Sequence, residues 1–136
     1  MDLSSLKETQ NLSKKISRII NIGDIIFLYG EIGVGKTTFV RFLVNHLEVE
    51  NGIKKSDILS PTFNIVYDYD IGDIKILHYD LYRLKNYIKI VEWPELIETK
   101  PEDRIDIIFN YSKLMKSRKV KIVGFGKWKD YKFNEI

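Results

Sequence analysis

The chain has 136 residues and a mass of 16.1 kDa, enough for one domain that buries roughly two thirds of its unfolded surface. Apolar residues make up 44% and charged residues 30%, a composition that excludes disorder, collagen and fibre as the main state. The absence of cysteine removes disulfides, Cys-ligated zinc, iron–sulfur clusters and a thiol nucleophile together. No apolar stretch approaches the 18 or more residues needed to cross a bilayer. Residues Met1–Ser13 carry charge where a secretory leader would have its apolar core, so a cytoplasmic location is expected. The net charge of +3 is too small to make a general nucleic-acid binder. It is unevenly placed, however: Lys116, Arg118, Lys119, Lys121, Lys127, Lys129 and Lys132 face a single acid, Asp130, in the C-terminal stretch. A solvated surface explains that pattern without any partner.

No repeat or linker divides the chain, so residues 1–136 are read as one domain. Ser5 and Glu8 form a capping-box pattern, and Leu12, Ile16, Ile19 and Ile20 then recur at helical spacing up to a stop before Gly23. Ile25–Tyr29 is a continuous apolar run between Asp24 and Gly30, the pattern of a strand buried on both faces. A glycine-rich turn follows, then a second helix marked by Val40, Leu43, Val44 and Leu47. From Phe63 the period becomes two, through Ile65, Tyr67 and Tyr69. A turn at Asp70–Asp73 and a second run, Ile74–Tyr79, complete a hairpin. Further strands are expected at Tyr87–Val91, Arg104–Phe109 and Val120–Phe125. The expected fold is an α/β three-layer sandwich of the P-loop NTPase type, with a mixed, mostly parallel central sheet and an antiparallel hairpin portion.

Gly30-Glu31-Ile32-Gly33-Val34-Gly35-Lys36-Thr37 satisfies the G-x-x-x-x-G-K-[ST] pattern of a phosphate-binding loop. Its context is the required one, because the loop's amides and the N-terminus of the following helix together make an anion site only when a strand leads in and a helix leads out. Lys36 is placed to reach the β- and γ-phosphates of a nucleotide, and the Thr37 hydroxyl to ligate Mg²⁺. A carboxylate on the metal side is then needed. Asp80 closes the run Ile74–Tyr79, and Glu92 follows Ile88–Val91 where ligands gather, beyond the carboxyl ends of parallel strands. His46 and His78 have no carboxylate at triad spacing and read as packing residues.

Taken in order, the blocks Gly23-Asp24, Gly30–Phe39, Ser60-Pro61-Thr62-Phe63, Tyr79–Leu84 (Tyr-Asp-Leu-Tyr-Arg-Leu) and Val91–Glu95 (Val-Glu-Trp-Pro-Glu), with Glu8-Thr9 ahead of them, resemble the TsaE (YjeE) family of bacterial tRNA threonylcarbamoyladenosine biosynthesis ATPases. The resemblance implies a small ATPase, weak alone, that uses ATP/ADP and Mg²⁺ and works with the partner proteins TsaB and TsaD. Their product is a threonylcarbamoyl group on the adenosine beside the anticodon of tRNAs reading A-starting codons, with tRNA met indirectly and no membrane involved. Carried over by position, Thr9 touches the nucleotide, and Gly33, Val34, Gly35, Lys36, Thr37 and Thr38 hold phosphates. Thr37 and Glu92 bind Mg²⁺, and Asp80 is the second metal-side and catalytic acid beside Glu92. Ser60 and Thr62 belong to a loop sensing the γ-phosphate, Trp93 packs by the nucleotide or a partner, and Arg118 is a late basic residue near the nucleotide. The rival reading is a P-loop kinase of a small molecule or nucleoside, which calls for a lid segment rich in arginine that this chain lacks.

One spacing departs from the family. If Ile74–Asp80 and Tyr87–Glu92 are parallel neighbours, the crossover between them takes about 10–12 residues, whereas Leu81–Asn86 supplies six. The expectation is a break in the chain between Asn86 and Tyr87, where an acidic segment of the family is missing, with a true deletion as the alternative.

Overall fold

A computed structural model describes residues 1–58, 66–79, 88–112 and 117–135. Helix α1 (Leu6–Ser17) begins with the capping box: the Ser5 hydroxyl accepts from the Glu8 amide, and the Glu8 carboxylate accepts from the Ser5 amide at 2.7 Å. Two of the helix's orphan donors are thereby satisfied. Strand β1 (Ile25–Tyr29) leads through the glycine-rich turn into α2 (Lys36–Glu50). The remaining strands are β2 (Val66–Ile71), β3 (Ile74–Tyr79), β4 (Ile88–Glu92), β5 (Arg104–Tyr111) and β6 (Arg118–Phe125). Residues Phe63–Ile65 of the expected first hairpin strand lie outside the described residues.

The six strands among the described residues form one sheet in the order β2-β3-β4-β1-β5-β6. β1 pairs in parallel with both β4 and β5, and β4 in parallel with β3. The outermost pairs, β2–β3 and β5–β6, are antiparallel. The mixed, mostly parallel sheet is therefore present, and its antiparallel portion occurs at both edges. This explains the run Ile25–Tyr29: a central parallel strand is covered on two faces, and Ile26, Phe27 and Leu28 are all buried.

Ile26 and Leu28 share one face of the sheet with Ile105, Ile107, Ile88 and Ile90, and pack there against Leu12 and Ile16 of α1 and Phe39, Val40, Leu43 and Val44 of α2. Phe27 faces the other way, level with Val91 and Asp106. On that side the Arg104 guanidinium donates to Asp106 at 3.0 Å and stacks 3.7 Å from the Phe125 ring centroid. Burial pushes the Asp106 carboxyl above the ordinary aspartate value, and Arg104 opposes that shift. The first residues of the chain also join the sheet: the Leu3 amide donates to the Arg118 carbonyl and the Val120 amide to the Met1 carbonyl, covering the outer edge of β6.

The parallel pairing of β3 with β4, with His78 opposite Ile90, is the premise of the expected break in the chain. Asn86 and Tyr87 themselves lie outside the described residues. Among the described residues no helix is long and apolar enough to cross a membrane.

Candidate nucleotide site

The parallel strands β4, β1 and β5 end at the same edge of the sheet, and the loop from Gly30 to Gly35 closes over that edge. The loop's shape depends on glycine at two points. Gly30 has φ 134°, and a Cβ there would lie 2.6 Å from the Phe109 carbonyl oxygen on β5, a backbone atom that cannot yield. Gly35, at the N-cap of α2, has φ 113°, and its open face is occupied by Arg118, whose Nη1 would be 2.8 Å from an added Cβ. Because the cap supplies no side-chain hydrogen bond, the first amides of α2 are left directed at the cleft.

Among the described residues the cleft is lined by Ile32, Gly33, Gly35, Lys36, Thr37, Thr38, Glu92 and Trp93, around about 130 Å³. Lys36 is only 5% exposed. Its ammonium donates to the Gly30 carbonyl at 2.6 Å and the Glu31 carbonyl at 3.0 Å, and lies 4.2 Å from the Trp93 ring centroid. Burial holds this lysine below its ordinary value, while the Glu92 and Glu95 carboxylates oppose the shift. A charge so enclosed, held by a flexible stem between loop carbonyls and an aromatic face, suits an anionic ligand arriving at the loop.

Across the cleft the Thr37 hydroxyl donates to Glu92 Oε1 at 3.0 Å. Glu92, 7% exposed, stands on the last residue of β4. A hydroxyl and a carboxylate in contact are hard oxygen donors, the set that Mg²⁺ takes beside phosphate oxygens and water. No group of three or more His, Cys, Asp or Glu side chains that could cage a metal occurs among the described residues.

Trp93 follows Glu92 in the left-handed region, φ 61°, alone among the described non-glycine residues. This position costs on the order of 1–2 kcal/mol, and it turns the chain sharply off the end of β4 into the short helical turn Pro94–Leu96. The indole ring is thereby brought over Lys36.

The structure brings together Gly33, Gly35, Lys36, Thr37, Thr38, Glu92 and Trp93, with Arg118 at the rim. Val34 is buried in the core beneath the loop. Thr9 is buried in α1, where its hydroxyl donates to the Ser5 carbonyl at 3.4 Å. Asp80, Ser60 and Thr62 lie outside the described residues; Tyr79, just before Asp80, ends β3 at the same edge as Glu92. Sequence reasoning passed over Tyr111, whose hydroxyl would lie 3.6 Å from a Cβ on Gly33. Its position just past the apolar run of β5, at a carboxyl end, was the available signal.

Comparison with known proteins agrees with this architecture. The family model for "Threonylcarbamoyl adenosine biosynthesis protein TsaE" matches residues 3–120. A tRNA threonylcarbamoyladenosine biosynthesis protein TsaE from Rickettsia typhi is 33% identical over 137 aligned positions, covering 86% of this chain and 92% of that protein. The protein of the same name from Aquifex aeolicus is 37% identical over 112, covering 76% and 80%. The Rickettsia felis relative is 40% identical over 90, but the matched part, 66% of this chain, spans only half of that protein. Among solved structures, Bacillus subtilis YdiB superposes with a TM-score of 0.78 at 25% identity, covering 99% of this chain and 90% of that one.

Proposed function

The chain belongs to the TsaE family of threonylcarbamoyl adenosine biosynthesis proteins, and from that premise we propose that it binds and hydrolyses ATP as an accessory protein in threonylcarbamoyl modification of the adenosine next to the anticodon in tRNAs reading A-starting codons. It acts through TsaB and TsaD and meets tRNA indirectly. The observation that carries this reading is the Thr37–Glu92 contact, 3.0 Å, at the mouth of a loop whose buried Lys36 is held between carbonyls and an aromatic ring. In this reading the loop amides and Lys36 hold the β- and γ-phosphates, and Thr37 and Glu92 hold Mg²⁺. The metal, when bound, neutralises charge on the polyphosphate. Asp80 stands as the second acid on the metal side, and Ser60 and Thr62 as sensors of the terminal phosphate. Trp93 screens Lys36 from water, so that its charge acts on phosphate at low dielectric.

The test is reconstitution. Combined with TsaB, TsaD, tRNA, ATP and the threonylcarbamoyl donor, the chain should support repeated rounds of modification with release of ADP, and its omission should stop them. Phosphate transfer to a nucleoside or other small acceptor, with no effect on tRNA modification, would select the kinase reading instead.

A further inference from the structure

The two ends of a bound polyphosphate can be told apart by the strand order. β1 lies between β4 and β5, so the loop it feeds has β4 on one side and β5 on the other. The hard-oxygen pair Thr37–Glu92 belongs to the β4 side, which marks that side as the end where metal and terminal phosphate meet. The opposite end of the ligand must then leave the loop toward β5 and β6.

What stands there is a paired couple from the end of the β5–β6 ladder. Tyr111 is the last residue of β5, Arg118 the first of β6, and the two are register partners. The Ser112 amide donates to the Ser117 carbonyl at 2.8 Å, and the Ser117 amide to the Ser112 hydroxyl at 3.2 Å, so the ladder is tied off just beyond them. Both side chains turn toward the loop: the Arg118 guanidinium covers Gly35, and the Tyr111 hydroxyl reaches Gly33. Tyr111 nevertheless stays 36% exposed, and Ile32, next to Gly33 in the loop, is 78% exposed. An aromatic ring left half open over an anion-binding loop, with a guanidinium at its side, offers a flat apolar platform next to a cation. That is the chemistry that receives a base or ribose joined to phosphate.

We infer that Tyr111 is a specificity-determining residue for the nucleoside end of the ligand, its ring carrying the base or ribose of a nucleoside triphosphate whose phosphates lie on Gly33–Thr38. The inference rests on the nucleotide reading given above, and it adds the discrimination between a nucleotide and a bare polyphosphate. The phosphate contacts come from the loop, so they should survive loss of the ring; the nucleoside contacts should not.

Calorimetric titration of the full chain with ATP and with inorganic tripolyphosphate, both in Mg²⁺, separates the two. Tyr111→Ala should weaken ATP about tenfold, in the range of one lost aromatic stack, and leave tripolyphosphate within twofold. Tyr111→Phe should keep ATP within threefold. Tyr111→Leu, which retains strand-compatible bulk without an aromatic face, should behave as Tyr111→Ala and serves if the alanine variant folds poorly. Unchanged ATP affinity in the Ala and Leu variants, or equal losses for both ligands, would overturn the assignment. A wild-type chain that binds neither ligand would overturn the nucleotide reading itself, and that failure is recognisable because it precedes any substitution.

Discussion

The glycine-rich loop is flanked by two walls of different construction. The β4 wall is buried and fully engaged: Glu92 contacts Thr37, Lys36 is held by two carbonyls, and Trp93 lies over the ammonium from a left-handed backbone position. The β5–β6 wall is open, with Tyr111 and Arg118 reaching the loop from the end of an antiparallel ladder and keeping part of their surface in water. Charge chemistry sits on the dry wall, where low dielectric strengthens each interaction and makes unpaired groups costly. The proposed recognition of the uncharged part of the ligand falls on the wet wall, where contacts are weaker and replaceable. Substitutions on the first wall should therefore reach turnover or the affinity for any polyphosphate, and those on the second only the affinity for the nucleoside part.

The largest expected effect is on turnover. Glu92→Gln keeps the shape and removes the charge at the proposed Mg²⁺ position. In the presence of the partner proteins it should retain nucleotide and lose about a hundredfold or more in ATP hydrolysis, the scale of a lost metal-linked stabilisation. Equal turnover in both proteins would break the contrast between the walls. On the open wall, Arg118→Ala should weaken ATP binding by roughly threefold to fivefold, the range of one partly solvated charge contact. A loss as large as that from a dry-wall substitution would show that Arg118 becomes buried when nucleotide binds. The smallest effect is one of backbone strain. Trp93→Gly and Trp93→Ala both delete the ring over Lys36, and only glycine accepts φ 61° without penalty. Urea unfolding should find the glycine variant more stable by about 1 kcal/mol; equal stabilities would mean that the turn is not held in the left-handed region.

The same contrast explains what could be seen in the sequence. The dry wall was legible because its parts are local: a loop of fixed spacing, a lysine and a threonine adjacent in sequence, and a glutamate directly after the apolar run of β4. Even the capping box of α1 follows from four consecutive residues. The open wall arises from pairings between strands distant in the chain. The runs Arg104–Phe109 and Val120–Phe125 suggested strands that stop at their last apolar residue. Backbone pairing of Asn110 with Lys119 and of Tyr111 with Arg118 extends both, because ladder hydrogen bonds recruit polar residues that apolar periodicity does not count. That extension is what carries Tyr111 to Gly33. The left-handed turn at Trp93 was equally hidden, since nothing about tryptophan before proline favours it. The resemblance placed Thr9 at the nucleotide; its hydroxyl donates to the Ser5 carbonyl, a bond within its own helix that apolar periodicity does not reveal.

The dry wall's role as the holder of phosphate charge is tested most directly by one titration, ATP with Mg²⁺ into the wild-type chain and into Lys36→Ala. Removing the buried ammonium deletes several charge-assisted contacts at once. The affinity should fall at least tenfold, about 1.4 kcal/mol, with the fold retained. Equal affinity in the two proteins would contradict the assignment of this loop as the phosphate site.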